Sequence, residues 1–450
     1  MGKYFGTDGF RGEANVTLTV EHAYKVGRFL GWYYGQKTPG EKCRIVIGKD
    51  TRKSGDMLEA ALTAGLCSMG AKVIPLGVVP TPAVAYLTRY YKADAGVVIS
   101  ASHNPCEYNG IKFFNSDGYK LSDGIEHEIE SYILGEKAIE ELPTHGKVGY
   151  VSANHNAVED YVAFAVSTID CRLDGMKIAV DCANGASYET AFKALNKLGA
   201  NVEAIHNTPD GVNINHMCGS THMESLQAYV TSIGADIGIA FDGDADRMLA
   251  VDENGNLIDG DQIMAACAKF MRDNGTLKQN TLVATVMSNL GLFMAGEKIG
   301  INIPRTKVGD RYVLEEMLAK GYNIGGEQSG HIIFLDHNTT GDGLVSALQF
   351  LSVLKKTGMK ASEAASIVTV MPQVLRNAVV KLENKNSYME NEEIAAACKA
   401  LEDEFAGEGR VLIRPSGTEP LVRVMIEGKD EEYITKKAEE LAELIEKILG

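Results

Sequence analysis

Asp242, Asp244 and Asp246 alternate along "IAFDGDADRMLAVDENG" (239–255), with glycine and alanine between them and Arg247 directly behind. Carboxylates crowded into one tight turn repel each other unless a hard cation neutralises them, and an oxygen-only ligand set suits Mg²⁺. An EF-hand is the nearest rival, because Glu253 stands at position 12 counted from Asp242. It fails at position 6, where the sharp turn needs glycine and the chain has Arg247. β-type runs rather than helices also flank the loop. Apolar residues on both sides make it a strand end, where α/β folds place their sites.

Three other stretches carry similar promise. "VVISASHNPCEYNGIKFF" (97–114) runs an apolar strand into Ser102, His103, Asn104 and Pro105, then reaches Lys112 a short loop later. "GGEQSGH" (325–331) follows another strand, with paired glycines before Glu327 and Ser329 and with His331 at its end. A glutamate and a hydroxyl on a glycine-flexed loop can hydrogen-bond the hydroxyls of a sugar. "RPSGTEPLVR" (414–423) offers Arg414, Ser416, Thr418, the backbone near Gly417, and Arg423. Guanidinium forks, hydroxyls and N–H groups in one turn are what an oxyanion such as phosphate requires. Near the start, "GTDGFRG" (6–12) places Arg11 in a glycine-rich segment. No Walker A loop, GxGxxG fingerprint or GxSxG elbow occurs, so neither a nucleotide ligand nor an esterase serine is indicated.

The elements that must position these loops are legible as three repeats of one pattern. "RIVIGKD" (44–50), "KVIPLGVV" (72–79) and "AGVVISAS" (95–102) read as strands, and "MLEAALTAGLCSMG" (57–70) as a helix between them. "MKIAVDCANG" (176–185), "NVEAIH" (201–206) and "ADIGIAFDGD" (235–244) repeat the theme, as do "TLVATVMSN" (281–289), "INIPRTKVG" (301–309) and "YNIGGEQSGHIIF" (322–334). Alternating strands and helices predict parallel or mixed sheets covered on both faces. The tail differs: "GRVLIRPSGTEPLVRVMIEG" (409–428) reads as two strands around a polar turn. A helix follows on which Ile434, Ala438, Leu441, Ile445 and Ile448 recur at helical spacing. The fold class is therefore α/β, with three similar domains with mixed sheets, 1–154, 155–254 and 255–369, and a smaller C-terminal α+β domain, 370–450.

With 450 residues the chain has room for several cores, and its 45% hydrophobic and 23% charged residues are ordinary for a globular protein. A net charge of −16 argues against nucleic acid as a partner. The sequence lacks an apolar run of membrane-spanning length, and "MGKYFGTDGF" lacks a signal-peptide core, so no membrane partner is expected. Eight scattered cysteines without a CxxC pair suggest neither zinc nor a disulfide framework, and a reducing, cytoplasmic setting is expected.

Together and in this order, the four loops resemble the α-D-phosphohexomutase superfamily. The resemblance spans essentially the whole chain, with a serine loop (102–105), a metal loop (242–247), a sugar loop (326–331) and a phosphate loop (414–420), one per domain. It implies four domains around one central cleft. "KYFGTDGFRG" and Gln328 resemble the bacterial branch that acts on glucosamine phosphates, whereas the phosphomanno/phosphoglucomutase branch usually carries methionine where Gln328 stands. By this resemblance Ser102 is the phosphorylated residue. It passes its phosphoryl group to O1 of a hexosamine 6-phosphate and recovers the 6-phosphoryl from a 1,6-bisphosphate that has turned around. One Mg²⁺ on Asp242, Asp244, Asp246 and a seryl oxygen, with Arg247, Lys112 and Arg11 nearby, would neutralise the transferring group. His103, Lys112 and His331 are candidates for moving the proton, and the sequence leaves the choice open. Glu327 and Ser329 would read the sugar, and Arg414, Ser416, Gly417, Thr418 and Arg423 would hold the other phosphate. Glucose or glucosamine 1,6-bisphosphate would be an activator, and a homodimer is compatible with the family.

Two rivals use the same residues. One is a phosphomannomutase/phosphoglucomutase, and the other is a non-catalytic phosphosugar-binding regulator on the same fold. A pure binder has no use for a seryl phosphoryl carrier beside three metal-ligating aspartates, which counts against the second.

Overall fold

The computed structural model describes residues 4–6, 9–37, 40–139, 141–388, 390–416 and 419–450. They form four sheets of seven, five, four and three strands. In the first, Arg44–Lys49 lies between Lys72–Val78 and Ala95–Ile99, parallel to both. Such a strand is covered on both faces, and Ile45, Val46 and Ile47 are accordingly wholly buried. Tyr108–Asn115 then pairs antiparallel with Ala95–Ile99, and Gly9–Glu13 pairs antiparallel with Tyr108–Asn115. The helix expected over 57–70 runs Ser54–Ser68 and buries Leu58, Leu62 and Leu66.

The second sheet has Lys177–Asp181 between Asn201–Ile205 and Ile237–Phe241, all parallel, and then turns antiparallel through Met248–Val251. In the third, Val283–Thr285 is parallel to Arg305–Thr306 and Ile324–Gly326. "YNIGGEQSGHIIF" is not one run. It is the hairpin of Ile324–Gly326 with Ile332–Phe334. Gly330, at a φ of +91°, turns the chain back there, in a region costly for any residue with a Cβ.

The three-stranded sheet is wholly antiparallel, with Leu421–Glu427 between Gln373–Val379 and Arg410–Pro415. Glu431–Leu449 lays Ile434, Ala438, Leu441 and Ile445 into its core, while Ile448 is partly buried. Asp430 caps that helix by accepting from the Tyr433 amide at 3.0 Å.

One arrangement recurs in all four sheets. Each motif loop found in the sequence connects two neighbouring antiparallel strands: Ala95–Ile99 to Tyr108–Asn115, Ile237–Phe241 to Met248–Val251, Ile324–Gly326 to Ile332–Phe334, and Arg410–Pro415 to Leu421–Glu427. In the first three, the incoming strand is also paired in parallel on its other side. The chemistry-bearing turn thus sits at the carboxyl end of a parallel strand, and the partner strand holds both of its ends.

The chain divides into two compact units, residues 1–286 with 301–367, and 287–300 with 368–450. The helix Leu290–Ile299 therefore belongs with the C-terminal module, although it lies within the range read as the third domain. Buried Glu427 explains this: it pairs with Arg410 at 2.6 Å and faces the Leu290 amide at 3.3 Å. Arg410 also donates to the Ser288 carbonyl at 2.8 Å. Among the described residues no helix is long and apolar enough to cross a membrane.

Candidate active site

Ser102 stands in the turn after Ala95–Ile99 with a φ of +53° and is 1% exposed. Its hydroxyl donates to Asp242 Oδ2 at 2.7 Å, across 140 residues of sequence. Asp242, Asp244 and Asp246 crowd the metal turn, each offering an oxygen within 4.8 Å of the others, and all three are buried. Ala245, at a φ of +54°, gives that turn its tight curl. Burial first, then the charges of Asp246 and Asp244, pushes the Asp242 carboxyl well above the usual carboxylate range. Burial and Asp244 push Asp246 the same way. Asp246 Oδ1 is buried and, among the described residues, makes no hydrogen bond. A hard divalent cation would relieve both the repulsion and the unsatisfied oxygen, so the triad fits Mg²⁺.

Cationic groups surround the triad. Lys112, on Tyr108–Asn115 and 3% exposed, donates to Asp244 Oδ2 at 2.9 Å and lies 4.0 Å from Asp246. The Arg247 amide donates to Asp242 Oδ1 at 3.2 Å, and its Nε is 3.8 Å from Asp246. Arg11 pairs with Gly110 across the sheet. His331 Nε2 lies 4.0 Å from Asp246 and 3.8 Å from Asp310. His103 Nδ1 lies 3.4 Å from the Ser102 hydroxyl. Burial, with Arg247 and Arg11 close by, pushes the His103 imidazole down to about 4, so it is neutral at physiological pH.

The sugar loop is fixed against the same turn. The Met248 amide donates to the Gly330 carbonyl at 3.0 Å, and Glu327 accepts from the Gly309 amide at 3.1 Å. Ser329 is exposed. Gln328 spends its amide on Asp259 Oδ2 at 3.0 Å, the carboxylate that caps Gly260–Asp273.

Arg414, Ser416 and Arg423 form a second group, in the C-terminal unit. Arg414 and Arg423 are directly opposed across the hairpin, a like-charge pairing that is unfavourable unless an anion sits between them. Burial and then Arg423 hold the Arg414 guanidinium below its ordinary value. Ser416 is buried, and its carbonyl accepts from Lys385 Nζ at 3.0 Å. Gly417 and Thr418 lie outside the described residues.

Four family models match the chain in order: phosphoglucomutase/phosphomannomutase alpha/beta/alpha domain I over residues 2–140, domain II over 158–255, domain III over 259–371, and the C-terminal domain over 378–444. The chain belongs to the phosphoglucomutase/phosphomannomutase family. Among the relatives of this phosphohexomutase, the phosphoglucosamine mutase of Ruminiclostridium cellulolyticum is 61% identical over 446 residues, covering 99% of each chain. That of Acetivibrio thermocellus is 61% identical over 450 residues, covering 100% of both. Among solved structures, a phosphoglucomutase/phosphomannomutase family protein from Burkholderia thailandensis shares the fold at a TM-score of 0.81 and 23% identity, over 99% of this chain and 98% of that one. An Aspergillus fumigatus N-acetylphosphoglucosamine mutase, solved with GlcNAc-6P and magnesium, does so at 0.70 and 17% identity, over 100% and 96%.

Some residues of this phosphohexomutase site carry no motif and are invisible in the sequence alone. Thr81 opens the helix Thr81–Tyr90 and donates to Asp244 twice, hydroxyl to Oδ2 at 2.7 Å and amide to carbonyl at 2.9 Å. Lys385 adds a cation beside the phosphate turn. Arg52 and Asn215 reach the serine loop itself. Thr81, Arg52 and Asn215 come from chain far from the loops they touch, so no local spacing announces them.

Proposed function

We propose that this chain interconverts glucosamine 6-phosphate and glucosamine 1-phosphate through a phosphoserine at Ser102, as an intramolecular phosphotransferase of the isomerase class. The observation that carries the reading is the seryl hydroxyl 2.7 Å from one of three mutually close, buried aspartates. The preference for an amino sugar is supported by relatives 57–61% identical over essentially their full length, each named phosphoglucosamine mutase.

In this reading the bond from Ser102 Oγ to phosphorus breaks as the bond from the sugar O1 to phosphorus forms. The O1 proton passes by way of a base to the seryl oxygen; after the bisphosphate turns, the bond from O6 to phosphorus breaks as that from Ser102 Oγ to phosphorus forms, and the seryl proton goes to O6. Mg²⁺ held by Asp242, Asp244, Asp246 and the seryl oxygen would supply charge for the phosphoryl oxygens. Arg247, Lys112 and Arg11 add to that charge from the protein side. Two groups are within reach of the seryl proton: Asp242 Oδ2, which already accepts it at 2.7 Å, and the uncharged His103 ring at 3.4 Å. Lys112 and His331 face the aspartates instead, Lys112 at 2.9 Å from Asp244 and His331 at 4.0 Å from Asp246. Glu327 and Ser329 would recognise the ring, and Arg414, Ser416 and Arg423, with Gly417 and Thr418, would grip the phosphate that is not reacting. A glucose or glucosamine 1,6-bisphosphate would load or reload the serine.

Intact-mass and peptide mass spectrometry of the purified protein should find one phosphoryl group, on Ser102. Ser102→Ala should abolish turnover while the melting temperature stays near the parent's. Turnover of glucosamine phosphates should exceed that of glucose and mannose phosphates. Substantial activity in Ser102→Ala would refute the carrier role, and a preference for mannose phosphates would move the chain to the sister activity.

A further inference from the structure

Ser102 holds a left-handed backbone conformation, which is unfavourable for a residue with a Cβ. A buried residue keeps such a conformation only if its surroundings impose it. The Ser102 amide donates to Ser100 Oγ at 3.0 Å. The Ser102 carbonyl accepts from Asn215 Nδ2 at 2.9 Å and from Arg52 Nη2 at 3.1 Å. Two residues on, the Asn104 carbonyl accepts from the same two donors, at 3.0 Å and 2.5 Å. Two side chains thus span the turn from Ser102 to Asn104 with four hydrogen bonds to backbone carbonyls.

Arg52 is wholly buried and committed to the buried Asp50 beside it. Asn215 comes from the second sheet's side, out of the stretch that follows Asn201–Ile205. That stretch is itself tied down. Asp181 accepts from the Gly219 amide at 3.0 Å and pairs with His206 Nδ1 at 2.9 Å, while the Asn215 amide donates to the Ala183 carbonyl at 2.9 Å. Asn215 also presses on the metal turn: a Cβ at Gly243 would lie 2.7 Å from Asn215 Nδ2 and 2.6 Å from the Ser102 carbonyl. One amide therefore touches the serine turn, and the metal turn packs against both.

We propose that Asn215 is a positioning residue for phosphoryl transfer: with Arg52 it clamps the Ser102 and Asn104 carbonyls and so fixes the aim of the seryl oxygen at the aspartate triad. The inference rests on Ser102 being the carrier. Asn215 has no part in charge neutralisation, and its two donors face carbonyls rather than the triad. Its loss should lower turnover without weakening the metal site.

The test is the full-length protein with Asn215→Asp, which turns the donor into a carboxylate facing two carbonyls, and Asn215→Gly, which removes it. Both residues tolerate the positive φ of +58° at this position. In each variant kcat should fall about ten- to a hundred-fold. KM for glucosamine phosphate and Mg²⁺ affinity by titration calorimetry should stay close to the parent's in Asn215→Gly, whereas Asn215→Asp, which buries a carboxylate against two carbonyls, should also melt at a lower temperature. A merely structural role would lower melting temperature and yield while leaving kcat per folded molecule intact. Parent-like kcat in either variant overturns the proposal. So does a parallel loss of Mg²⁺ affinity, which would assign Asn215 to the metal turn, or failure of both variants to fold. Ser102→Ala is run alongside. If it turns over, the carrier reading fails; if it is inactive while Asn215→Asp matches the parent, only the clamp fails.

Discussion

Asp244 shows how much one carboxylate can be asked to do at the residue scale. It receives Lys112 at 2.9 Å and the Thr81 hydroxyl at 2.7 Å on the same oxygen, and it lies within 4.8 Å of two other carboxylates. Asp244→Asn would remove one of three negative charges and set an amide nitrogen or a weaker acceptor against Lys112. Mg²⁺ affinity should fall, and kcat should drop about a hundred-fold or more, as when a preorganised charge-stabilising group is lost. Titration calorimetry and steady-state rates check this, and normal turnover in the presence of a chelator would remove the metal from the site. The motif residues were legible in the sequence because each loop is local, and Ser102, Lys112 and the aspartates stand within a few residues of their own signals. Thr81, Arg52 and Asn215 were not legible, because a threonine after a proline or an asparagine in a polar loop has many ordinary explanations. What gives them meaning is their partners, 163, 50 and 113 residues away.

At the scale of elements, the mixed sheets and the C-terminal hairpin with its helix follow from periodicity and β-rich runs. The sugar hairpin did not, because strands of three residues each read as one apolar run interrupted by glycine. Helix Leu290–Ile299, which chain order places with the third sheet, clusters with the C-terminal unit through contacts no local pattern announces, such as buried Glu427 facing the Leu290 amide and Asn289 bonding Met371. The turns themselves depend on backbone approaching backbone. Gly185 faces Gly243 so closely that a Cβ on it would lie 2.4 Å from the Gly243 carbonyl. That carbonyl already accepts from the Ala186 amide at 2.8 Å and has little freedom to retreat. Gly185→Ala should therefore cost about 1–3 kcal/mol of stability and weaken Mg²⁺ binding by displacing the metal turn. Gly146→Ala, where a Cβ would meet nothing within 4 Å, should stay within about 0.5 kcal/mol of the parent. Thermal or denaturant unfolding of the two variants separates them, and equal stabilities would show that the metal turn shifts freely.

Across the whole molecule the site residues fall into two groups carried by two compact units. This separation suggests a division of labour that kinetics can read. Two opposed guanidinium groups bind a phosphate whatever ring it carries, each charge-assisted contact contributing about 1.5–3 kcal/mol. Arg414→Ala should lower kcat/KM for glucosamine and glucose phosphates by similar factors of about ten to a hundred. Ser329→Ala should instead change the ratio between the two substrates, because a hydrogen bond to the ring distinguishes one substituent from another. The reverse pattern would mean that the two loops have been assigned the wrong way round.

The 140 residues between Ser102 and Asp242 also set an order of events during synthesis. At about 5–20 residues per second, the serine is made roughly 7–28 s before the aspartate it meets. When that interval begins Arg52 is already present; Asn215 follows 113 residues after Ser102, and the metal turn comes last. Until the metal turn is made, the seryl hydroxyl lacks the carboxylate it meets in the folded chain. If Ser102 is the phosphoryl carrier proposed above, a chain cut between the two turns should be inert rather than a stray phosphoryl donor, because it lacks the aspartates that the seryl oxygen meets.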